Sequence, residues 1–167
     1  MSSVIEPLPV WTTLSFQRLR FSFDTMKDYS LKTHSFAYFG PTGGLRPRGP
    51  VSPKGEVSLV LVSKEDLGYD SRDEMSYREI IKRGQALGLK SARPCIGPQL
   101  LFSDTLPFDD FLLVAATPEN LGYDPDCSSF CCMTVGREQG RKYISAEMLG
   151  EPDEESNWNG YQFIFEQ

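Results

Sequence analysis

Residues 57–70 read Val57-Ser-Leu-Val-Leu-Val-Ser-Lys-Glu-Asp-Leu-Gly-Tyr-Asp70, and residues 111–124 read Phe111-Leu-Leu-Val-Ala-Ala-Thr-Pro-Glu-Asn-Leu-Gly-Tyr-Asp124. Each is an apolar run, a hydroxyl residue, an acidic stretch and then Leu-Gly-Tyr-Asp. The reading is the same for both: a buried strand ends at Ser63 or Thr117, whose hydroxyl caps one turn of helix. Each turn is expected to close at Gly68 or Gly122, where a positive φ costs least. Pro118 suits the first helical position, where no amide hydrogen is needed. The repeats are expected to be neighbouring strands whose turns leave the same edge of one sheet.

Working outward, Ser76-Tyr-Arg-Glu79 has the form of a capping box. Tyr77, Ile80, Ile81, Gly84 and Leu87 follow at helical spacing, and Gly88 provides a stop, so the main helix is placed at 76–87. The Gly84-x-x-x-Gly88 spacing marks close packing of that helix onto a sheet. Ala92 to Pro98 reads as a stiff connector, with Pro98 turning Gly97 away from helix. Gln99–Ser103 and Asp110–Ala116 read as a strand hairpin. Phe130–Val135 and Lys142–Ala146 form a second hairpin around Gly136–Gly140. Glu147 to Asn159 reads as an acidic loop, and alternating Tyr161, Phe163 and Phe165 as a last half-buried strand. The fold class is therefore α+β: a mostly antiparallel sheet of about five or six strands packed against one main helix.

Before residue 56 the signals are mixed, with a strand or irregular start near Leu19–Phe23 and helical turns near Asp24–Leu31. Residues 40–55 hold four prolines and five glycines and read as a loop. The chain thus divides into a basic N-terminal segment 1–39, a Gly/Pro-rich loop 40–55 and an acidic core domain 56–167. Residues 1–55 carry seven Lys/Arg against three acids, net +4, and the rest ten against twenty, net −10, together the chain's −6. That acidity weighs against direct nucleic-acid binding and favours a partner with a basic face, or self-association. No run approaches the ~20 apolar residues that span a bilayer, so no membrane partner is expected. With no secretory signal read at the N-terminus, a cytoplasmic bacterial setting is the expectation. Cys95, Cys127, Cys131 and Cys132 read as reduced thiols: they lack paired Cys-x-x-Cys spacing, and adjacent strand residues face opposite ways.

The runs Glu56-Val-Ser-Leu-Val-Leu-Val-Ser63, Tyr77-Arg-Glu-Ile-Ile-Lys-Arg-Gly-Gln-Ala-Leu-Gly-Leu-Lys90, Pro94-Cys-Ile-Gly-Pro-Gln-Leu100 and Tyr161-Gln-Phe-Ile-Phe165 resemble a family of uncharacterised bacterial proteins frequent in candidate-phyla genomes. The resemblance covers about residues 56–166. Members of that family usually carry an aspartate- and glycine-rich turn where this chain has Leu121-Gly-Tyr-Asp124. What the resemblance implies is a shared fold and no activity.

No catalytic residue is assigned. His34 is the only imidazole, and nothing in its sequence surroundings supplies the further groups of a nucleophilic triad. No cofactor is assigned either, because Thr42-Gly-Gly-Leu-Arg-Pro-Arg48 fits no phosphate-binding loop. If both repeated turns left one edge, Asp70, Asp73, Asp124 and Asp126, with Glu74 beside them, would gather there. They could then hold Mg²⁺ or Ca²⁺ as a metal-dependent hydrolase does, against a plainer reading as solvated loops. Tyr69 and Tyr123 read as plugs under those turns. The acidic residues Glu151, Asp153, Glu154 and Glu155 are the expected partner-binding group, with Trp158 either an exposed aromatic anchor beside them or, in the preferred reading, folded back to cover the sheet. The leading reading is a small soluble, non-enzymatic interaction protein. An immunity or anti-defence inhibitor from a mobile element, presenting an acidic decoy surface, is its rival.

Overall fold

A computed structural model describes residues 7–16, 55–103, 106, 111–124 and 128–167, with the side chains of Phe102, Phe111 and Asp124 excepted. The expectations for residues 19–31, the loop to residue 54, His34, Cys127 and Asp126 fall outside the described residues. In chain order the elements are β1 (Thr12–Ser15), β2 (Glu56–Ser63), β3 (Met75–Ser76), α1 (Tyr77–Ala86), β4 (Lys90–Ser91), α2 (Ile96–Phe102), β5 (Phe111–Val114), β6 (Gly122–Asp124), β7 (Ser129–Glu138), β8 (Arg141–Gly150), β9 (Glu155–Ser156) and β10 (Gln162–Glu166). Eight of the strands form one mixed sheet, larger than the five or six expected, and β3 with β9 forms a separate two-stranded ribbon.

The last strand sits in the middle of the sheet. β10 runs antiparallel to β2 along one side, pairing Gln162 with Ser63 and Glu166 with Leu59. On its other side it runs parallel to β5, pairing Gln162 with Leu112 and Ile164 with Val114, and it then meets β4 at Phe165. β2 and β5 are therefore not neighbours, and they point in opposite directions. The expectation of adjacent repeats with turns on one edge is overturned: the chain leaves β2 at one end of the sheet and β5 at the other.

The repeated tetrapeptide also takes two conformations. In the first copy Ser63 and Asp66 cap one another: the Ser63 N–H and Oγ each donate to Asp66 Oδ2 at 2.8 Å, and the Asp66 N–H donates to Ser63 Oγ at 3.2 Å. Gly68 closes that turn at φ +87°. In the second copy Pro118–Asn120 forms one 3-10 turn with Pro118 in its first turn, as expected, but Thr117 makes no side-chain cap. Gly122 is not among the positive-φ glycines; it pairs with Cys131 as the start of β6. The open side of β7 captures this copy into the sheet, and local propensity yields to that ladder.

Both faces of the sheet are apolar, and each carries a helix. On one face α1 packs Tyr77, Ile80 and Ile81 over Val60, Val62, Leu113, Phe163 and Phe165. On the other, Ile96, Leu100 and Leu101 of α2 cover Leu59, Leu112, Val114, Val135, Ile144 and Ile164. Each such side chain contributes about 1.5–3 kcal/mol on leaving water, so both layers are needed for a stable core. α1 matches the expected helix: Ser76 is its N-cap, and Ser76 Oγ accepts the Glu79 N–H at 3.2 Å. Gly84 lies directly under the Phe165 ring, which explains the small residue in that stripe.

α2 corrects the strand expected at 99–103. Pro98 falls in the first turn of this helix, where its missing N–H would have had no intrahelical partner anyway. The apolar run then buries one face as a helix instead of alternating as a strand. Cys95, Cys131 and Cys132 are buried. Burial pushes the Cys132 thiol up to about 12.

Candidate functional site

The acidic segment expected to be a loop is instead bolted to the start of α1. Ser76 and Met75 pair with Glu155 and Ser156, so the β3–β9 ribbon joins the segment to the residues that cap the helix. The Arg78 N–H donates to Pro152 O at 2.9 Å. The Arg78 guanidinium grips Asp153 with two bonds, Nε to Oδ1 at 2.7 Å and a terminal nitrogen to Oδ2 at 3.3 Å. Its other terminal nitrogen lies 3.9 Å from Glu119 Oε1, at the turn after β5. The hydrogen bond and charge of Arg78 hold the Asp153 carboxyl below its ordinary range.

Trp158 fastens the far end. It is 4% exposed, and its Nε1–H donates to Met75 O at 2.8 Å. Tyr161 and Phe163 meet its ring edge-on at 5.5 and 5.7 Å. Of the two readings of Trp158 the exposed anchor is ruled out and the side chain folded back over the sheet is found: the indole has an apolar floor and a buried acceptor, so it holds the segment down and offers nothing to a partner. Lys64 adds a second fastening that the sequence did not reveal. It is 1% exposed, and its ammonium donates to Asp73 O at 2.5 Å and to Asn159 Oδ1 at 3.2 Å. A buried cation served by neutral oxygens ties the turn after β2 to the turn before β10.

The result is a rigid ledge. Glu151, Asp153, Glu154 and Glu155 are exposed, and the side chains of Asp153 and Glu119 keep 70% and 72% of their surface in water. Glu154 turns back to accept the Glu151 N–H at 3.4 Å, which fixes the tip. Arg78, at 37% side-chain exposure, is the cation bound within the group.

The chain matches no protein-family profile, no curated protein and no solved structure. The ledge is therefore read from its own chemistry.

The remaining expected residues are dispersed. Asp70 Oδ1 accepts from the Arg72 N–H at 3.1 Å, and Asp73 Oδ2 accepts the Asp70 N–H at 2.7 Å, so both carboxylates shape their own turn. Asp124 lies on β6, in the line of β5 beyond the opposite end of the sheet from the β2 turn. No group of three His, Cys, Asp or Glu is placed to hold a metal among the described residues. Tyr69 is half-buried; its hydroxyl donates to Glu79 Oε1 at 2.5 Å and accepts from Arg83 Nε at 3.1 Å. Glu79 thereby serves Tyr69 in place of the second half of the capping box. Tyr123, 44% exposed, stands edge-on to Phe130 and is no plug.

The Arg78–Asp153 pair predicts a pH response. A carboxyl with a depressed folded-state value contributes stability above its unfolded value of about 3.9, and the contribution is lost as pH falls through the lower folded value. In a carbon-detected NMR titration Asp153 is expected to titrate below the ordinary aspartate range. Replacing Arg78 with glutamine should raise its midpoint.

Proposed function

We propose that this chain is a non-enzymatic binding module that meets a basic protein surface through the ledge formed by Glu119, Glu151, Asp153, Glu154 and Glu155. The observation that carries this reading is the double fastening of an otherwise acidic loop. Strand pairing with the helix cap and the buried Trp158 hold several carboxylates in one place without neutralising most of them. Like charges held together repel one another, so the arrangement costs the free protein stability that a cationic partner would restore. A preorganised ledge also spares the partner the entropy of ordering a loop. No described helix is long and apolar enough to cross a membrane.

The test combines charge and salt. The triple variant E151Q/E154Q/E155Q keeps side-chain size and removes three charges. Proteins cross-linked to the wild-type chain at ~50 mM salt should be basic, and raising salt to ~300 mM should release them, since screening lengths shrink below 10 Å. The variant should bind the same purified partner about tenfold more weakly, chiefly through slower association. Equal binding by the variant, or retention that ignores salt, rejects the reading.

A further inference from the structure

A hollow of about 510 Å³ opens at the C-terminal end of α1, away from the residues that build the ledge. Its wall includes Leu8, Leu87 and Leu89, which continue the apolar core beneath α1, together with Gly88 and Asp66. Two features make it electronegative. Asp66 Oδ2 is fixed by the Ser63 N–H and Oγ, while Oδ1 has no partner among the described residues. The helix also ends here, at the negative end of its dipole, with the Arg83, Gly84 and Gln85 carbonyls accepting the N–H groups of Leu87, Gly88 and Leu89. Its described lining residues include no Lys or Arg to neutralise either. The volume lies within the range of small-molecule sites, which pair an apolar wall with a few placed polar groups.

We propose that this hollow binds a small organic cation, an ammonium group carried on an alkyl or aryl body. The ammonium sits between Asp66 and the end of α1, and the body lies against Leu8, Leu87 and Leu89. Charge complementarity selects this class: a carboxylate of the same shape would face Asp66 and the negative helix end, and a neutral alcohol would gain the apolar contact alone. The inference does not depend on the ledge or on its partner.

Three probes of one chain length separate the terms: hexylammonium, hexanol and hexanoate, each titrated into the ¹⁵N-labelled full chain. Hexylammonium is expected to give saturable amide shifts at Asp66, Leu87, Gly88 and Leu89. It should bind about fivefold more tightly than hexanol, with hexanoate weakest. Asp66→Asn should bring hexylammonium close to hexanol. Absence of saturable shifts at those amides, hexanoate binding as well as hexylammonium, or hexylammonium shifts confined to residues 151–155 would each overturn the proposal. The probe series on the wild-type chain decides it even if the variant folds poorly.

Discussion

Replacing Trp158 with alanine is expected to destabilise the protein by about 3–5 kcal/mol, the range for removing a buried tryptophan. The indole is 4% exposed and packs on Tyr161 and Phe163, with Tyr77 at 6.2 Å. Its loss leaves a cavity and orphans the Met75 carbonyl that Nε1 satisfies at 2.8 Å. Trp158→Phe separates the two contributions. It keeps an aromatic body and loses the hydrogen bond and part of the volume, so a cost of about 1–2 kcal/mol is expected. Urea unfolding of the three proteins provides the measurement. An alanine variant within 1 kcal/mol of wild type would mean that the acidic segment is not anchored as described. Because Trp158 reaches the residue before the helix cap, the alanine variant should also lose hydrogen-exchange protection within the β3–β9 ribbon.

Gly84→Ala is expected to destabilise as well, against the usual sign. In an exposed helix interior this exchange stabilises by about 1 kcal/mol. Here a Cβ would fall 2.5 Å from Phe165 Cζ, and closer still to Cε1. Phe165 is fully buried in the central strand and has no room to retreat. Overpacking of this kind costs about 1–3 kcal/mol, which outweighs the propensity gain. A cycle with Phe165→Leu checks the cause. The double variant should recover part of the loss, because the residues couple through direct contact. Gly97→Ala is the comparison: its Cβ would meet the flexible Met133 thioether, which can swing aside at lower cost. If Gly84→Ala proved stabilising, the close approach of α1 to β10 would be wrong.

What the sequence made legible was mostly local. The cap at Ser76, the apolar stripe to Leu87, the stop at Gly88 and the β7–β8 hairpin write their structure within a few residues. The last strand was legible as a strand, but it is not half-buried as expected, since Ile164 and Glu166 are buried along with Phe163 and Phe165 between the two covered faces. What escaped depended on distant partners. Leu100-Leu101 is apolar in either conformation, and only the waiting second face of the sheet makes it helical. Gly122 has the same neighbours as Gly68 yet follows the open side of β7. Trp158, whose local sequence allowed either exposure or burial, is buried because residues 75–77, some eighty positions earlier, lie over it. Of the candidate site, the acidic residues were visible as composition. The Arg78 clasp and the Lys64 tie are tertiary and left no pattern to read.

The central place of β10 bears on how the molecule is made. Residues 162–166 fill the slot between β2 and β5, so during synthesis both of those strands wait with bare backbone on their inner sides until residues 162–166 have emerged. Pairings across about a hundred residues of chain close slowly, and such unfilled slots attract other strands. The nascent chain is thus most vulnerable to aggregation just before β10 arrives, and a stop codon ahead of Gln162 should yield an insoluble product rather than a smaller folded one.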